Sequence, residues 1–199
     1  GAGVALGLAQ AGARVVVNYV AQPAKARAVV AQIEEFGGEA VAFGADVADV
    51  QQQQGLIAFV AGRFGGVDIL VNNAGVHNHL PVDQLALEEW RRLMAINLEA
   101  PFMLCQRVLP HMRQQGWGRI INLSSIDAFA GTSVEAHYGT SKAGIAGFTR
   151  ALALETATQG ITVNAIAPGS IDTDMLAAHT PERRAGLIAS IPVGRLGTP

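Results

Sequence analysis

Tyr138 and Lys142 lie four residues apart in the segment H-Y-G-T-S-K. On a helix this spacing places both side chains on one face, one turn apart. A phenol has an ordinary pKa near 10, so it can exchange a proton near neutral pH only where a nearby cation stabilises the phenolate. The pair therefore predicts a tyrosine acid–base catalyst, provided that the site is partly desolvated and a bound cofactor adds further positive charge.

Four other segments accompany this pair in a fixed order. The first, G-R-I-I-N-L-S-S (118–125), is typical of a buried strand that ends in two hydroxyls, and Ser125 lies thirteen residues before Tyr138. The others are N-N-A-G (72–75), M-A-I-N-L (94–98) and V-N-A-I-A-P-G-S-I-D-T-D-M (163–175). Together the five segments resemble the short-chain dehydrogenase/reductase family along the whole chain, and within it most closely the 3-oxoacyl-[acyl-carrier-protein] reductases.

Composition is consistent with one globular domain over residues 1–199. Half of the 199 residues are hydrophobic and the formal net charge is only -2, which gives no basic patch for nucleic acid. Polar residues interrupt the apolar run from Ala2 to Val20, so neither a membrane span nor a secretory signal is expected. The single cysteine, Cys105, lies in an apolar helical stretch and is interpreted as a small core residue. We therefore expect a cytoplasmic protein.

Apolar strands alternate with longer segments of helical period, which predicts an α/β fold with a parallel sheet covered on both faces. The predicted helices are 2–11, 22–36, 50–64, 87–114 and 137–158, and the predicted strands are 14–18, 40–44, 68–72, 118–124 and 161–167. A loop or short-helix region follows from 170. The resemblance implies a Rossmann-type, doubly wound, three-layer αβα domain.

Both ends of the chain suggest a longer protein. Gly1 matches the last glycine of the family's phosphate-binding loop, so we expect the first strand of the fold to be missing between strands 14–18 and 68–72. The segment 191–199 resembles the family's sequence just before its last helix and last strand, which we expect to be missing as well. Residues 174–195 correspond to the substrate loop region.

The resemblance assigns a catalytic tetrad of Asn97, Ser125, Tyr138 and Lys142. Tyr138 is expected to exchange a proton with the substrate oxygen while hydride is transferred at carbon. Ser125 is expected to hold that oxygen, and Lys142 to stabilise the phenolate and bind the nicotinamide ribose. Asn97 is expected to fix a water that connects Lys142 to a proton relay.

Cofactor-binding positions follow from the same matching. They are Gly1, Asn18, Tyr19, Asp46, Val47, Asn73, Ala74, Gly75, Tyr138, Lys142, Pro168, Gly169, Ile171 and Thr173. NAD enzymes of this type carry an acidic residue at the end of the second strand. Here the strand ends in Asn18 and Tyr19, which favours NADP(H) and leaves NAD(H) as the alternative.

The substrate is expected to be a small carbonyl or alcohol, and a 3-oxoacyl thioester on acyl-carrier protein or coenzyme A fits the resemblance best. The residues expected around it are Ser125, Asp127, Phe129, His137, Tyr138 and the segment Leu176 to Ile191. His77, Asn78 and His79 line the entrance in this interpretation, and no metal site is expected because no clustered carboxylate or cysteine accompanies them.

Two alternatives remain open: a sugar or alcohol dehydrogenase of the same family, and a non-catalytic scaffold that has lost its phosphate loop. In the family that the chain resembles, the long helices that correspond to 87–114 and 137–158 commonly pack across subunits. The resemblance therefore implies a homotetramer or homodimer. Gly144, Ala146 and Gly147 would permit such packing, although a buried face within the chain explains them as well.

Overall fold

The computed structural model describes residues 1–173, 176 and 180–199. Five strands form the sheet framework: β1 (Val15–Tyr19), β2 (Ala40–Gly44), β3 (Ile69–Asn72), β4 (Gly118–Leu123) and β5 (Ile161–Ile166). Each is a short apolar run, and all the strand pairs are parallel. The sequence placed every one of these strands to within one residue at each end. The Rossmann-type α/β architecture is confirmed.

Helices connect the strands, as parallel pairing requires. They are α1 (Ala2–Gln10), α2 (Pro23–Glu35), α3 (Val50–Phe64), α4 (Leu87–Met94), α5 (Ala100–Gln115), α6 (Asp127–Ala130), α7 (Ala136–Thr156) and α8 (Pro181–Ser190). Asp49 caps the start of α3, because its carboxylate accepts hydrogen bonds from the backbone N–H groups of Gln51 and Gln52 at 2.8 and 3.0 Å. Gly12 and Gly37 follow α1 and α2 with φ of 91° and 82°, which confirms their predicted role in ending those helices.

The predicted helix over 87–114 is present without a break, but it is not uniform. A π-helical turn, Ala95–Glu99, separates α4 from α5 and carries Asn97. Hydrophobic periodicity does not detect a single wide turn because the apolar face continues through it. The short elements Val82–Gln84, a 3₁₀ turn, and α6 were also absent from the sequence prediction.

The sheet is divided into two parts, with strand orders β1–β2 and β3–β4–β5. A cavity of about 870 Å³ separates them, walled by Val15–Asn18 of β1 and by Ile69–Asn72 of β3. Gly1, at the start of α1, also lines it. This slot lies where the sequence predicts a further central strand, and Tyr138 and Lys142 do not line it.

The main core lies between α5, α7 and the strands β4 and β5. Met112, Val108 and Ile120 are fully or almost fully buried there. Cys105 joins the same cluster, and its burial raises the pKa of the thiol to about 12, which confirms its interpretation as a core residue. Gly144 lets α7 approach the π-helical turn, because an added Cβ would lie 2.9 Å from the Leu98 side chain. The packing of Gly144 is therefore within the chain.

Candidate active site

Helix α7 and the end of β4 bring three of the four predicted catalytic side chains together. The Lys142 ammonium lies 5.6 Å from the centre of the Tyr138 ring, on the same face of α7. Its Nζ donates a hydrogen bond of 2.7 Å to the carbonyl of Leu123, the last residue of β4. Ser125, two residues further along, lies near enough to the Tyr138 hydroxyl to lower its pKa. The strand end thus fixes both the lysine and the serine around the phenol.

Burial dominates the electrostatics of this group. It raises the pKa of Tyr138, and the charges of Asp127 and Glu135 raise it further, whereas the nearby Ser125 hydroxyl lowers it. Burial also lowers the pKa of Lys142 to about 8. The sequence predicts a lowered Tyr138 pKa only where a bound cofactor adds positive charge beside Lys142, so this role of Lys142 stays a prediction.

Asn97 is fully buried, and its amide is held on both sides. Its Oδ1 accepts from the Val76 backbone N–H at 2.9 Å, while its Nδ2 donates to the Val76 carbonyl at 2.9 Å and to Ser141 Oγ at 3.2 Å. Ser141 in turn donates to the Tyr138 carbonyl at 2.8 Å. The π-helical turn thereby ties the loop after β3 to α7. These bonds occupy the Asn97 side chain, so its predicted contact with a water stays a prediction.

The N-N-A-G loop lies against the catalytic group. A Cβ added to Gly75 would lie 3.4 Å from Asn97 Oδ1 and 3.6 Å from Lys142 Nζ, so it would fit in van der Waals contact but would cover the space in front of these two groups. A Cβ on Gly1 would lie 3.0 Å from Asn73 Nδ2. The start of α1, with its unpaired backbone N–H groups, therefore meets the same loop. Asn73, Ala74 and Gly75 are all exposed.

The remaining predicted cofactor residues form two further segments at the same ends of the strands. Asn18 donates to the Ala45 carbonyl at 3.0 Å, and its buried Oδ1 has no hydrogen-bond partner among the described residues. Tyr19 packs over Gly44, where an added Cβ would lie 3.2 Å from the phenol oxygen. Asp46 Oδ1 accepts from the Ala48 N–H at 2.9 Å, which forms a tight turn with buried Val47 at its centre.

The second segment follows β5. The Pro168 carbonyl accepts from the Ile126 N–H at 3.1 Å, which places this turn beside the loop that carries Ser125. Gly169 approaches the same Ile126 side chain. Ile171 pairs with Gly197, and Thr173 Oγ1 donates to the Ile171 carbonyl at 3.4 Å.

Three observations show that the surface formed by the ends of the strands and the start of α1 suits a nicotinamide dinucleotide. The close approach at Gly75 would be filled by any side chain, the start of α1 offers backbone donors, and no carboxylate occupies the positions of Asn18 and Tyr19 at the end of β1. When bound, a nicotinamide dinucleotide would supply the hydride.

The predicted substrate residues differ in how near they lie to the reacting group. Asp127 accepts a hydrogen bond of 2.8 Å from Ser125 Oγ and another from Thr132, so it lies beside the reacting group. His137 is fully buried and hydrogen-bonds through Nε2 to Asn78 Oδ1, so its ring anchors a loop, and its contact with substrate stays a prediction. Phe129 is 70% exposed. Within the predicted substrate loop, residues 174, 175 and 177–179 lie outside the described residues.

The reason for expecting no metal site was wrong. Glu135, distant in sequence, lies 3.2 Å from His77 Nε2 and 2.6 Å from His79 Nδ1. The His77 ring also meets the Tyr138 ring edge-on, with the centres 4.9 Å apart. Sequence reasoning missed Glu135 because only the tertiary fold brings it to the two histidines.

A buried amide pair also escaped the sequence analysis. Asn72 Nδ2, at the end of β3, donates to Asn122 Oδ1 on β4 at 2.8 Å, and Asn122 Nδ2 donates to Thr149 Oγ1 on α7 at 2.9 Å. These bonds lock the two strands to the catalytic helix. The sequence does contain a signal for these bonds. An asparagine within or at the end of an apolar strand, as Asn72 and Asn122 are, needs buried hydrogen-bond partners.

Comparison with known proteins identifies the family of this chain. A sequence model of the short chain dehydrogenases matches residues 1–184. A 3-oxoacyl-[acyl-carrier-protein] reductase from Synechocystis is 40% identical over 199 residues, which are 100% of this chain and 79% of that protein. The nodulation protein G of Azospirillum brasilense is 39% identical over 199 residues, again 100% of this chain and 81% of the relative.

Two solved structures share the fold. A protein from Beutenbergia cavernae, described as an NAD(P)-dependent gluconate 5-dehydrogenase and holding NADP at low occupancy, is 37% identical with a TM-score of 0.90, covering 98% of this chain and 78% of that one. A protein from Agrobacterium tumefaciens described as a gluconate dehydrogenase is 35% identical with a TM-score of 0.91, covering 98% and 77%. The chain belongs to the short-chain dehydrogenase family and is an oxidoreductase of that family.

None of the helices in the described part of the chain has both the length and the apolar composition that crossing a bilayer requires.

Proposed function

We propose that this chain interconverts a ketone and a secondary alcohol with NADP(H), and that its substrate is a 3-oxoacyl thioester carried on acyl-carrier protein or coenzyme A. The observation that carries the proposal is the convergence of Ser125, Tyr138 and Lys142 beside the open approach at Gly75. The relatives named as 3-oxoacyl-[acyl-carrier-protein] reductases support the substrate class.

In the proposed mechanism, Tyr138 gives its proton to the carbonyl oxygen, and Ser125 holds that oxygen as negative charge develops. A serine hydroxyl has one proton, and Ser125 now donates it to Asp127. Binding of the carbonyl must therefore redirect that proton from Asp127 to the substrate. Lys142 stabilises the phenolate that results.

NADP(H) is preferred over NAD(H) in this proposal because β1 ends without a carboxylate at Asn18 and Tyr19. We further propose that the protein is cytoplasmic and assembles as a homodimer or homotetramer through α5 and α7. Phe102 and Leu154 on these helices are 49% and 82% exposed, so apolar surface is available there.

A second candidate is a dehydrogenase of sugar acids. The surface beside Tyr138 carries His77, His79, Glu135 and Arg183, which suits hydroxyl and carboxylate groups better than an acyl chain. The names of the two similar solved structures support the same alternative. A non-catalytic scaffold is the third, and the intact catalytic group speaks against it.

The experiment is a substrate panel. Oxidation of NADPH and NADH would be followed with acetoacetyl-coenzyme A, with the acetoacetyl acyl-carrier protein and with 5-ketogluconate, for this chain and for a version extended at both ends from the source gene. Thioester-dependent oxidation of NADPH supports the proposal. Turnover of the keto acid alone would favour the second candidate, and a folded, nucleotide-binding but inactive protein would favour the third.

A further inference from the structure

A cluster of three side chains plays no part in the proposed hydride chemistry and has the composition of a metal site. His77 and His79 lie on the loop after β3, and Glu135 is the N-cap residue of α7. Each offers one donor atom, and these atoms all lie within 4.8 Å of one another. We propose that His77, His79 and Glu135 form a binding site for a divalent transition-metal ion, for which Zn²⁺ is the best match.

The ligand types support zinc. Two imidazole nitrogens with one carboxylate oxygen bind Zn²⁺ in sites that keep a fourth position open. In a tetrahedral site with bonds of about 2.0–2.1 Å, ligand atoms lie about 3.4 Å apart. Glu135 Oε1 lies 3.2 Å from His77 Nε2, close to that spacing, and 2.6 Å from His79 Nδ1. The site forms when His79 Nδ1 and Glu135 Oε1 separate by roughly 0.8 Å and the two imidazole nitrogens, which lie within 4.8 Å of each other, adopt the same spacing.

Burial supports a cation at this place. The Glu135 side chain is only 4% exposed, and those of His77 and His79 are 16% and 23% exposed. A buried carboxylate is costly unless a cation or metal compensates its charge. A neutral imidazole compensates it less well than a dication, so the cluster is better satisfied with metal than without it.

Arg183 competes with a metal ion for His79, as the placement of the imidazole proton shows. The Arg183 guanidinium lies 2.7 Å from His79 Nε2, and because a guanidinium only donates, that nitrogen must accept. A neutral imidazole then carries its proton on Nδ1, the atom nearest Glu135. For Nδ1 to bind a metal, the proton must move to Nε2, where it would face the guanidinium. Metal binding and the Arg183 contact therefore exclude each other.

This exclusion links the site to α8. Arg183 lies in the first turn of α8, within the region that the sequence predicts to be the substrate loop. Its neighbour Arg184 contacts Asp172 at 2.8 Å instead and does not share the histidine. The two arginines are thus a matched pair, with equal charge on the same helix but only one competing with the metal.

The test is direct metal binding to the full chain after treatment with a chelator, and it requires no turnover. Co²⁺ binding would be followed by its visible absorption and Zn²⁺ binding by calorimetry, with circular dichroism as the check on folding. Glu135→Gln and His77→Gln remove single ligands, while His111→Asn removes a histidine that pairs with Asp68 elsewhere. Arg183→Leu removes the competitor, and Arg184→Leu is its control.

We expect close to one metal per chain, binding that is weaker by about tenfold or more in either ligand variant, and unchanged binding in His111→Asn. Arg183→Leu should bind about tenfold more tightly, with Arg184→Leu close to the wild type. Binding well below one equivalent, or equal affinity in both folded ligand variants, would overturn the site. Equal affinity in Arg183→Leu and Arg184→Leu would overturn the competition. Failure of the hydride-transfer proposal leaves these outcomes unaffected, because binding alone is measured.

Discussion

Replacement of Lys142 by methionine should change how the stability of the protein depends on pH. Lys142 is 6% exposed, and burial lowers its pKa from 10.5 to about 8. Above about pH 8 the folded chain loses this proton while the unfolded chain keeps it up to about pH 10.5. Stability rises with pH wherever the unfolded state binds more protons, so this lysine makes the wild type more stable as the pH rises through that window.

The size of the effect follows from the shift. At 1.36 kcal/mol for each pKa unit, the full shift corresponds to about 3 kcal/mol. Between pH 7 and pH 10 the free energy of unfolding of the wild type should rise by about 2.5 kcal/mol relative to Lys142→Met. The hydrogen bond from Lys142 to the Leu123 carbonyl weakens when the ammonium loses its proton, and this difference between the two protonation states is already contained in the pKa shift.

The assay is urea unfolding of the cofactor-free protein at the two pH values, followed by circular dichroism. Lys25→Met, which removes the other lysine of the chain at an exposed position of α2, is the matched control and should follow the wild type. A stability difference between wild type and Lys142→Met that stays flat or falls with pH would refute the burial argument.

Three further changes have defined outcomes. Val134 adopts φ 61°, a conformation that costs a β-branched residue about 1–2 kcal/mol, so Val134→Gly should stabilise the fold by about 0.5–1 kcal/mol in urea unfolding, whereas exposed Val82→Gly should not. Asp127→Asn removes a charge that raises the pKa of Tyr138, so the pH profile of alcohol oxidation should move to lower pH; an unmoved profile would contradict the assignment. Gly75→Ala adds a Cβ within 3.6 Å of the Lys142 ammonium, so calorimetry should find weaker nucleotide binding with little change in unfolding, while Gly55→Ala, with open space around it, should bind normally.

The strands were predictable because each is a short apolar run. For β1 and β2, a glycine that ends the preceding helix also marks where the strand can begin. Gly12 and Gly37 end their helices in the left-handed conformation that only glycine adopts cheaply, so the sequence marks these boundaries directly. The π-helical turn around Asn97 leaves the apolar pattern intact and therefore gives no such mark. The π-helical turn places the buried Asn97 amide where it hydrogen-bonds to both Val76 and Ser141.

The surroundings of Tyr138 were less predictable than Tyr138 itself. Nothing local connects His77 and His79 with Glu135, because only the packing of α7 against the loop after β3 brings them together. Val134 is a further example, since a β-branched residue is a poor choice for positive φ and its sequence gives no hint of that conformation. The hydrogen-bond partner of buried His137 is likewise Asn78, which lies on another segment.

The central claim is that Tyr138 transfers the proton in a hydride-transfer reaction. The most direct test is single-turnover reduction of acetoacetyl-coenzyme A by NADPH in wild type and in Tyr138→Phe, in the version extended at both ends, with nucleotide affinity measured in parallel. The account predicts unchanged NADPH binding and a rate of hydride transfer that falls by about a thousandfold or more in Tyr138→Phe. An undiminished rate in Tyr138→Phe would contradict it.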